Sequence, residues 1–93
     1  MRAIWNGEVV AESDETIVVE GNHYFPPAAV NSAFTKTSQL KTICGWKGEA
    51  SYYSLEINGK INEDAACYYP NPKPEADNIR GYIAFWNGVE VIK

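Results

Sequence analysis

The residues best suited to chemistry lie in the stretch Thr42–Ala50. It holds a thiol, an indole and an ammonium group within four positions, at Cys44, Trp46 and Lys47, with two glycines among them. Glycine lets the backbone turn sharply or approach a ligand, an indole forms a flat apolar wall, and an ammonium offers three donors to an anionic group. The stretch therefore predicts part of a ligand site. The alternative is structural, with Trp46 in the core, the glycines turning the chain and Lys47 in solvent.

A second candidate segment joins the lone histidine to aromatic residues just before a pair of prolines. His23 precedes Tyr24, and loop residues at such corners often form the rim of a pocket. An imidazole can titrate near neutral pH and act as acid or base, although a histidine without a partner is commonly a surface or capping residue. We expect His23 and Tyr24 to converge with Trp46 and Lys47 on one pocket.

The cysteines offer a catalytic alternative. A thiol reacts as thiolate, and its reference pKa of about 8.5 must be lowered by a nearby cation or helix terminus. For Cys44 the local candidates are Lys47 and His23, so Cys44 and His23 are the candidate catalytic residues. The opposing interpretation is a buried, inert thiol, since free cysteine is among the most buried residue types. Cys67, between alanines and tyrosines, predicts packing.

Metal and cofactor sites have no sequence support. Two isolated cysteines and one histidine fall short of the usual four zinc ligands at recognisable spacings. The chain has no glycine-rich phosphate loop, no dinucleotide fingerprint and no serine-hydrolase elbow. The acidic residues at Glu63-Asp64 and Glu75–Asp77 lie in expected loops without a spacing that pairs them. We therefore predict neither a metal nor a cofactor.

Size and charge narrow the class of protein. A chain of 93 residues with 45% hydrophobic and 22% charged residues has the composition of one folded domain, spanning residues 1–93. The formal net charge of -4, with scattered basic residues, argues against nucleic acid as a partner. No apolar run approaches the roughly 20 residues of a membrane span, and no secretion signal is evident. We expect no membrane partner and a cytoplasmic location.

Three Asn-Gly pairs give the main structural signal. Asn-Gly favours the tight two-residue turn between antiparallel strands, because both residues tolerate positive φ. The pairs Asn6-Gly7, Asn58-Gly59 and Asn87-Gly88 each lie beside β-type sequence. They predict three hairpins and hence a mainly antiparallel sheet.

Other elements can be placed from periodicity and proline. Ala50–Ile57 alternates as a half-buried strand does, and Thr16–Glu20 and Lys41–Cys44 are further short β-rich runs. Prolines at its start favour a helix over Pro26–Phe34, and a helical turn is expected over Glu75–Ile79. The sequence thus predicts a mainly β domain with one or two short helical turns.

Taken together, the residues resemble the small bacterial family known as domain of unknown function 427, over nearly the whole chain. The matching signposts run in order along the sequence. They are Trp5-Asn6-Gly7, Tyr24-Phe25-Pro26-Pro27, Thr42-x-Cys44-x-Trp46-Lys47-Gly48-x-Ala50-x-Tyr52-Tyr53, Tyr68-Tyr69-Pro70-x-Pro72 and Ile79-x-Gly81-Tyr82-x-Ala84-Phe85.

The resemblance implies a β-tent fold, in which small antiparallel sheets meet at an angle. This fold is similar to the ligand-binding domain of cereblon and to methionine sulfoxide reductase B, which bind small groups in an aromatic or thiol-bearing cleft. The family often has proline where this chain has Gly45 and tryptophan where it has Cys67, which implies a wider or less aromatic pocket. The family has also been labelled a nucleotidyltransferase, but that chemistry needs metal-binding carboxylates beside a phosphate loop, and the sequence offers neither.

Three functions remain open at this point. The first is a binding module whose aromatic cleft takes a small anionic or cyclic molecule. The second is an enzyme that uses Cys44 as nucleophile or redox thiol, and the third is a protein-interaction module that presents exposed aromatic surface or a strand edge. The predicted ligand-binding residues are His23, Tyr24, Cys44, Trp46, Lys47, Tyr52 and Tyr69.

Overall fold

Short strands make up most of the molecule. A computed structural model describes residues 1–93. Its strands are β1 (Arg2–Trp5), β2 (Glu8–Glu12), β3 (Ile17–Val19), β4 (Asn22–Tyr24), β5 (Thr35–Cys44), β6 (Gly48–Ile57), β7 (Lys60–Tyr68), β8 (Ile83–Phe85) and β9 (Glu90–Ile92). Three short 3-10 helices span Pro27–Ala29, Ser32–Phe34 and Pro74–Ile79. None of these helices has the length and apolar character needed to cross a membrane.

The strands form three small sheets. One has the order β2-β1-β9, one is the pair β3-β4, and the largest has the order β5-β6-β7-β8. Every pair of neighbouring strands is antiparallel. This confirms the predicted mainly β class with several small antiparallel sheets.

Two of the Asn-Gly pairs form the hairpins expected of them. Asn6-Gly7 joins β1 to β2, and Asn58-Gly59 joins β6 to β7. In both turns the asparagine and the glycine have positive φ, at 52° and 78° in the first and 52° and 79° in the second. The turn chemistry therefore sets these two connections, as the sequence predicts.

The third predicted hairpin is wrong. Asn87-Gly88 adopts the same turn, with φ of 53° and 89°, but the strands on either side of it belong to different sheets. Strand β8 pairs with β7, and β9 pairs with β1. The backbone carbonyl of Asn87 accepts a 2.8 Å hydrogen bond from the side-chain Nδ2 of Asn62. The side-chain Nδ2 of Asn87 donates in return to Asn62 Oδ1 at 3.0 Å. The turn is thus tied to β7, which lets the chain cross between sheets.

The predicted helix over Pro26–Phe34 is replaced by two 3-10 turns. Between them Val30 is extended, with φ of -95° and ψ of 131°, and forms a bridge to Ala11. The backbone N–H of Asn31 donates to the Val10 carbonyl at 2.8 Å. Pairing with β2 therefore interrupts the helix. The turn expected over Glu75–Ile79 is present as part of the third 3-10 helix.

The largest sheet carries a hydrophobic core on each face. Along β8, Ile83 and Phe85 belong to one core while Ala84, between them, belongs to the other, as alternation along a strand requires. The first core lies toward β1 and β2, whose Ala3 and Val10 it contains. The residues buried in the second core are Tyr24, Ala50, Tyr69, Ala76, Ile79 and Ala84.

Candidate functional site

Lys47 lies in the turn that joins β5 to β6, where Cys44 and Gly48 are opposite each other. Gly48 has φ of 111°, and a Cβ at this position would lie 3.4 to 3.6 Å from the backbone of residues 71–73. The Lys47 carbonyl accepts a 2.9 Å hydrogen bond from the Lys73 N–H. The close backbone approach that the glycines suggested is therefore made to another segment of the same chain.

The Lys47 ammonium is enclosed by aromatic rings and one carboxylate. Nζ donates to Glu20 Oε1 at 2.8 Å and to the Tyr24 hydroxyl at 3.4 Å. It lies 5.4 Å from the ring centroid of Trp46, 5.5 Å from that of Tyr69 and 5.9 Å from that of Tyr24. The Lys47 side chain is only 8% exposed. We call these five residues the lysine cage.

Electrostatics keep the lysine charged inside this cage. Burial by itself lowers the pKa of Lys47, but the hydrogen bond to Glu20 and the neighbouring Tyr24 and Tyr69 outweigh burial and raise that pKa above its ordinary value. The same hydrogen bond and the charge of Lys47 lower the pKa of Glu20. Burial raises the pKa of Tyr69 to about 12. At neutral pH the cage thus holds an ammonium, a carboxylate and neutral phenols.

The turn of the β3-β4 hairpin positions the carboxylate of the cage. Glu20 and Gly21 have φ of 53° and 81°, which is the left-handed region that a two-residue hairpin turn uses. Val19 and Asn22 are paired on either side of the turn. Asn22 begins β4, and the buried Tyr24 ends it on the same face. One short hairpin therefore supplies both Glu20 and Tyr24 to the lysine.

Beside the lysine cage, on the same face of the largest sheet, lies an open cleft. Tyr52 on β6 pairs with Cys67 on β7, which pairs with Ala84 on β8, so the three side chains form one row across the sheet. The cleft above this row has a volume of about 300 Å³. Its lining residues are Asn22, Tyr52, Cys67, Ala84, Phe85 and Trp86.

The walls of the cleft are held in place by hydrogen bonds. Trp86 is 55% exposed, and its indole Nε1 donates to the Asp64 carbonyl at 2.6 Å. The Tyr52 hydroxyl lies 2.9 Å from Thr42 Oγ1. Burial raises the pKa of Cys67, an effect that the Lys47 ammonium only partly opposes, so the thiol in the floor stays protonated. The cleft is therefore largely apolar and its aromatic walls are ordered.

The structure divides the predicted site residues between these two places. Tyr24, Trp46, Lys47 and Tyr69 meet in the lysine cage, where the ammonium fills the space between the rings. Tyr52 lies in the cleft instead.

The other two predicted site residues lie in neither place. His23 faces away from Tyr24 along β4, with Nδ1 3.1 Å from Thr16 Oγ1. Cys44 is partly buried at the edge of the second core, and both cysteines are free. The thiol in the cleft is that of Cys67, where the resemblance to the family implied a wider or less aromatic pocket.

Most of the cleft could not be found from the sequence. Cys67 and Ala84 look like packing residues, and only the register of β6, β7 and β8 places them beside Tyr52. Trp86 precedes an Asn-Gly turn and resembles a hairpin residue, yet its exposure marks it as a wall. The available signal was the alternation along β6, which puts Tyr52 on the face opposite Leu55.

The fold and the site together define a small antiparallel β domain with a cleft of aromatic residues beside a buried lysine. The chain belongs to the family described as a domain of unknown function (DUF427), whose model matches residues 1–93. No protein with a curated description matches the chain significantly.

Proposed function

We propose that this domain is a binding module for a small, flat cyclic molecule, which it holds in the cleft. The observation that carries the proposal is the row of Tyr52, Cys67 and Ala84, which leaves a hollow of about 300 Å³ under the exposed indole of Trp86. Small-molecule sites are typically concave and mostly apolar, with volumes of roughly 300 to 1,000 Å³. A volume at the low end of that range suits a ligand of one or two rings.

The order of the aromatic walls supports the same function. Trp86 would be free to rotate as an exposed side chain, but its hydrogen bond to the Asp64 carbonyl fixes the indole at the edge of the cleft. Tyr52 is fixed in the same way through Thr42. Walls that are ordered before binding reduce the entropy lost when a ligand is immobilised. A flat ring can therefore stack on the preorganised rings of Trp86 and Tyr52.

The catalytic-thiol hypothesis has less support. Cys44 lies outside the cleft, and the thiol inside it, Cys67, has a raised pKa, whereas nucleophilic cysteines have lowered ones.

The interaction hypothesis has the support of several exposed large apolar side chains, of which Ile43 at 73% is the most exposed. The free state of both cysteines supports the inference of a cytoplasmic location.

A screen of ring compounds tests the proposed function. We expect some aromatic compounds of one or two rings to raise the melting temperature, because a ligand that binds only the folded state stabilises it. Trp86→Ala should abolish the shift, while the matched variant Trp46→Ala removes an indole from the lysine cage and should leave the shift in place. The proposal fails if no ring compound raises the melting temperature, or if the shift survives Trp86→Ala.

A further inference from the structure

The cleft contains no free charge. Lys47, the cation that could have selected an anionic ligand, is not part of the lining and is bound to Glu20 inside the lysine cage. The thiol of Cys67 is protonated, and the remaining lining residues are uncharged. The net charge of -4 adds a field that repels anions. A carboxylate or phosphate that entered this cleft would lose water without gaining a cation.

The polar groups of the aromatic walls each make one hydrogen bond within the protein. The Tyr52 hydroxyl is bonded to Thr42 Oγ1, and the Trp86 indole N–H to the Asp64 carbonyl. Asn22 is the remaining polar residue of the lining; it is solvent-exposed, and its carboxamide takes part in none of the side-chain hydrogen bonds of the chain. A carboxamide presents two N–H donors and one carbonyl acceptor. Asn22 is therefore the one lining residue that can offer a strong donor and a strong acceptor side by side to the polar edge of a ligand.

We propose that the cleft selects an uncharged flat ring bearing a carboxamide-type edge, in which a donor lies beside an acceptor, and that Asn22 determines this specificity. The inference rests on the proposed function, since it names the ligand class for the same cleft. The ring stacks on Trp86 and Tyr52 and covers the Cys67–Ala84 floor. Its donor and acceptor meet the acceptor and donor of Asn22 in a paired arrangement that neither a carboxylate nor an amidinium can complete.

Three compounds that differ only in charge test this selection. Benzamide is neutral, benzoate is an anion and benzamidine is a cation at pH 7, and all three carry the same ring. Binding is followed by titration on the indole N–H signal of Trp86 in NMR spectra. We expect benzamide to bind several-fold more tightly than benzoate, because benzoate cannot donate to the Asn22 carbonyl and is repelled by the net charge of -4.

Replacement of Asn22 should change the order of affinities. Asn22→Asp puts a carboxylate in the same place and should make benzamidine the tightest of the three compounds. Asn22→Ala should weaken benzamide binding at least several-fold while leaving stacking on Trp86. The matched control is Asn58→Asp, which adds the same charge at an exposed turn and should leave the order unchanged.

The outcomes separate this inference from the function on which it rests. If none of the three compounds shifts the Trp86 signal and the wider ring screen also finds no ligand, the proposed function fails. If benzoate binds as tightly as benzamide, or if Asn22→Asp leaves the order unchanged, the selection by Asn22 is overturned while ring binding stands. Benzamide preference that reverses to benzamidine preference in Asn22→Asp alone supports the inference.

Discussion

The lysine cage and the cleft lie side by side and contain similar residues, but the cage is filled and the cleft is open. Both lie against the second core on one face of the largest sheet, and both have tryptophan and tyrosine walls. In the cage, the Lys47 ammonium occupies the space between the rings and forms an ion pair with the Glu20 carboxylate. In the cleft, the corresponding space above Cys67 and Ala84 is open.

The difference teaches that a concentration of reactive groups along the chain does not mark the binding surface. The stretch around Trp46 and Lys47 has the highest density of potentially reactive side chains. In the folded domain, however, Lys47 binds Glu20 and Tyr24 and so holds the β3-β4 hairpin on the largest sheet. The cleft is built from residues that have little in common along the sequence. If this comparison is right, substitutions in the cage should mainly change stability, and substitutions in the cleft should mainly change binding.

The largest effect should come from Lys47→Ala. The substitution removes a side chain that is 8% exposed, its bond to Glu20 and its contacts with three rings. We expect the free energy of unfolding to fall by about 1–3 kcal/mol, because the buried stem of Lys47 and its ring contacts are lost, while the half-exposed Glu20 carboxylate stays solvated. Denaturant unfolding measures the change. The matched control is Lys36→Ala, which breaks an exposed 3.1 Å ion pair with Glu56 and should cost at most about 1 kcal/mol.

Equal costs for the two lysine variants would contradict the comparison, because Lys47 would then behave as an ordinary surface residue.

The next effect concerns the turn that presents Lys47. Gly48→Ala forces a side chain into the left-handed region, at φ of 111°, where an added Cβ makes only ordinary van der Waals contact with the backbone of residues 71–73, so the cost comes from backbone strain. We expect a loss of about 1–3 kcal/mol in the free energy of unfolding, measured by denaturant or thermal unfolding. Gly45→Ala is the control within the same turn, since a Cβ there meets nothing within 4 Å, and it should change stability by less than about 0.5 kcal/mol. A Gly45→Ala loss as large as that of Gly48→Ala would contradict the expected backbone strain at position 48.

A smaller effect is the pH dependence that Glu20 confers. Its folded-state pKa is lowered, so its contribution to stability is present above the unfolded-state value of 4.5 and is lost as the pH falls through the folded-state pKa. We expect Glu20→Gln to lower the melting temperature at pH 7 and to reduce the loss of stability on acidification below about pH 4.5. Thermal unfolding at a series of pH values measures both. Glu15→Gln, on the preceding loop, should reproduce neither change.

Turn chemistry and periodicity predicted much of the fold. The Asn6-Gly7 and Asn58-Gly59 hairpins, the strand at Ala50–Ile57 and the absence of long helices all follow from local preferences. The Asn87-Gly88 turn was predicted as well, but its hairpin was not formed because partner choice depends on the other strands. Pairing of β9 with β1 joins residues almost a whole chain apart, and no local pattern specifies it.

For the site, the sequence predicted the kinds of residue involved better than it predicted their positions in space. It grouped Lys47, Trp46 and Tyr24, which do lie together, but it predicted a pocket shared with His23 and Cys44, and the structure places those two elsewhere. It could not show that Glu20 would form an ion pair with Lys47, since that contact depends on how the β3-β4 hairpin lies on the largest sheet. It also could not find Cys67, because a one-residue change in the register of β7 would turn this thiol to the other face.

The smallest effect, and the sharpest on the cleft itself, is the labelling of its thiol. In a Cys44→Ser variant, which leaves Cys67, we expect the iodoacetamide rate to rise with pH through a midpoint above the reference thiol pKa of about 8.5, because burial disfavours the thiolate. Saturating benzamide should slow this rate several-fold, since a ring in the cleft covers the sulfur. In the Cys67→Ser variant, which leaves Cys44 outside the cleft, benzamide should have no effect. A Cys67 midpoint below about 8.5 would instead favour thiol chemistry in the cleft. Equal protection of both cysteines would place the ligand elsewhere.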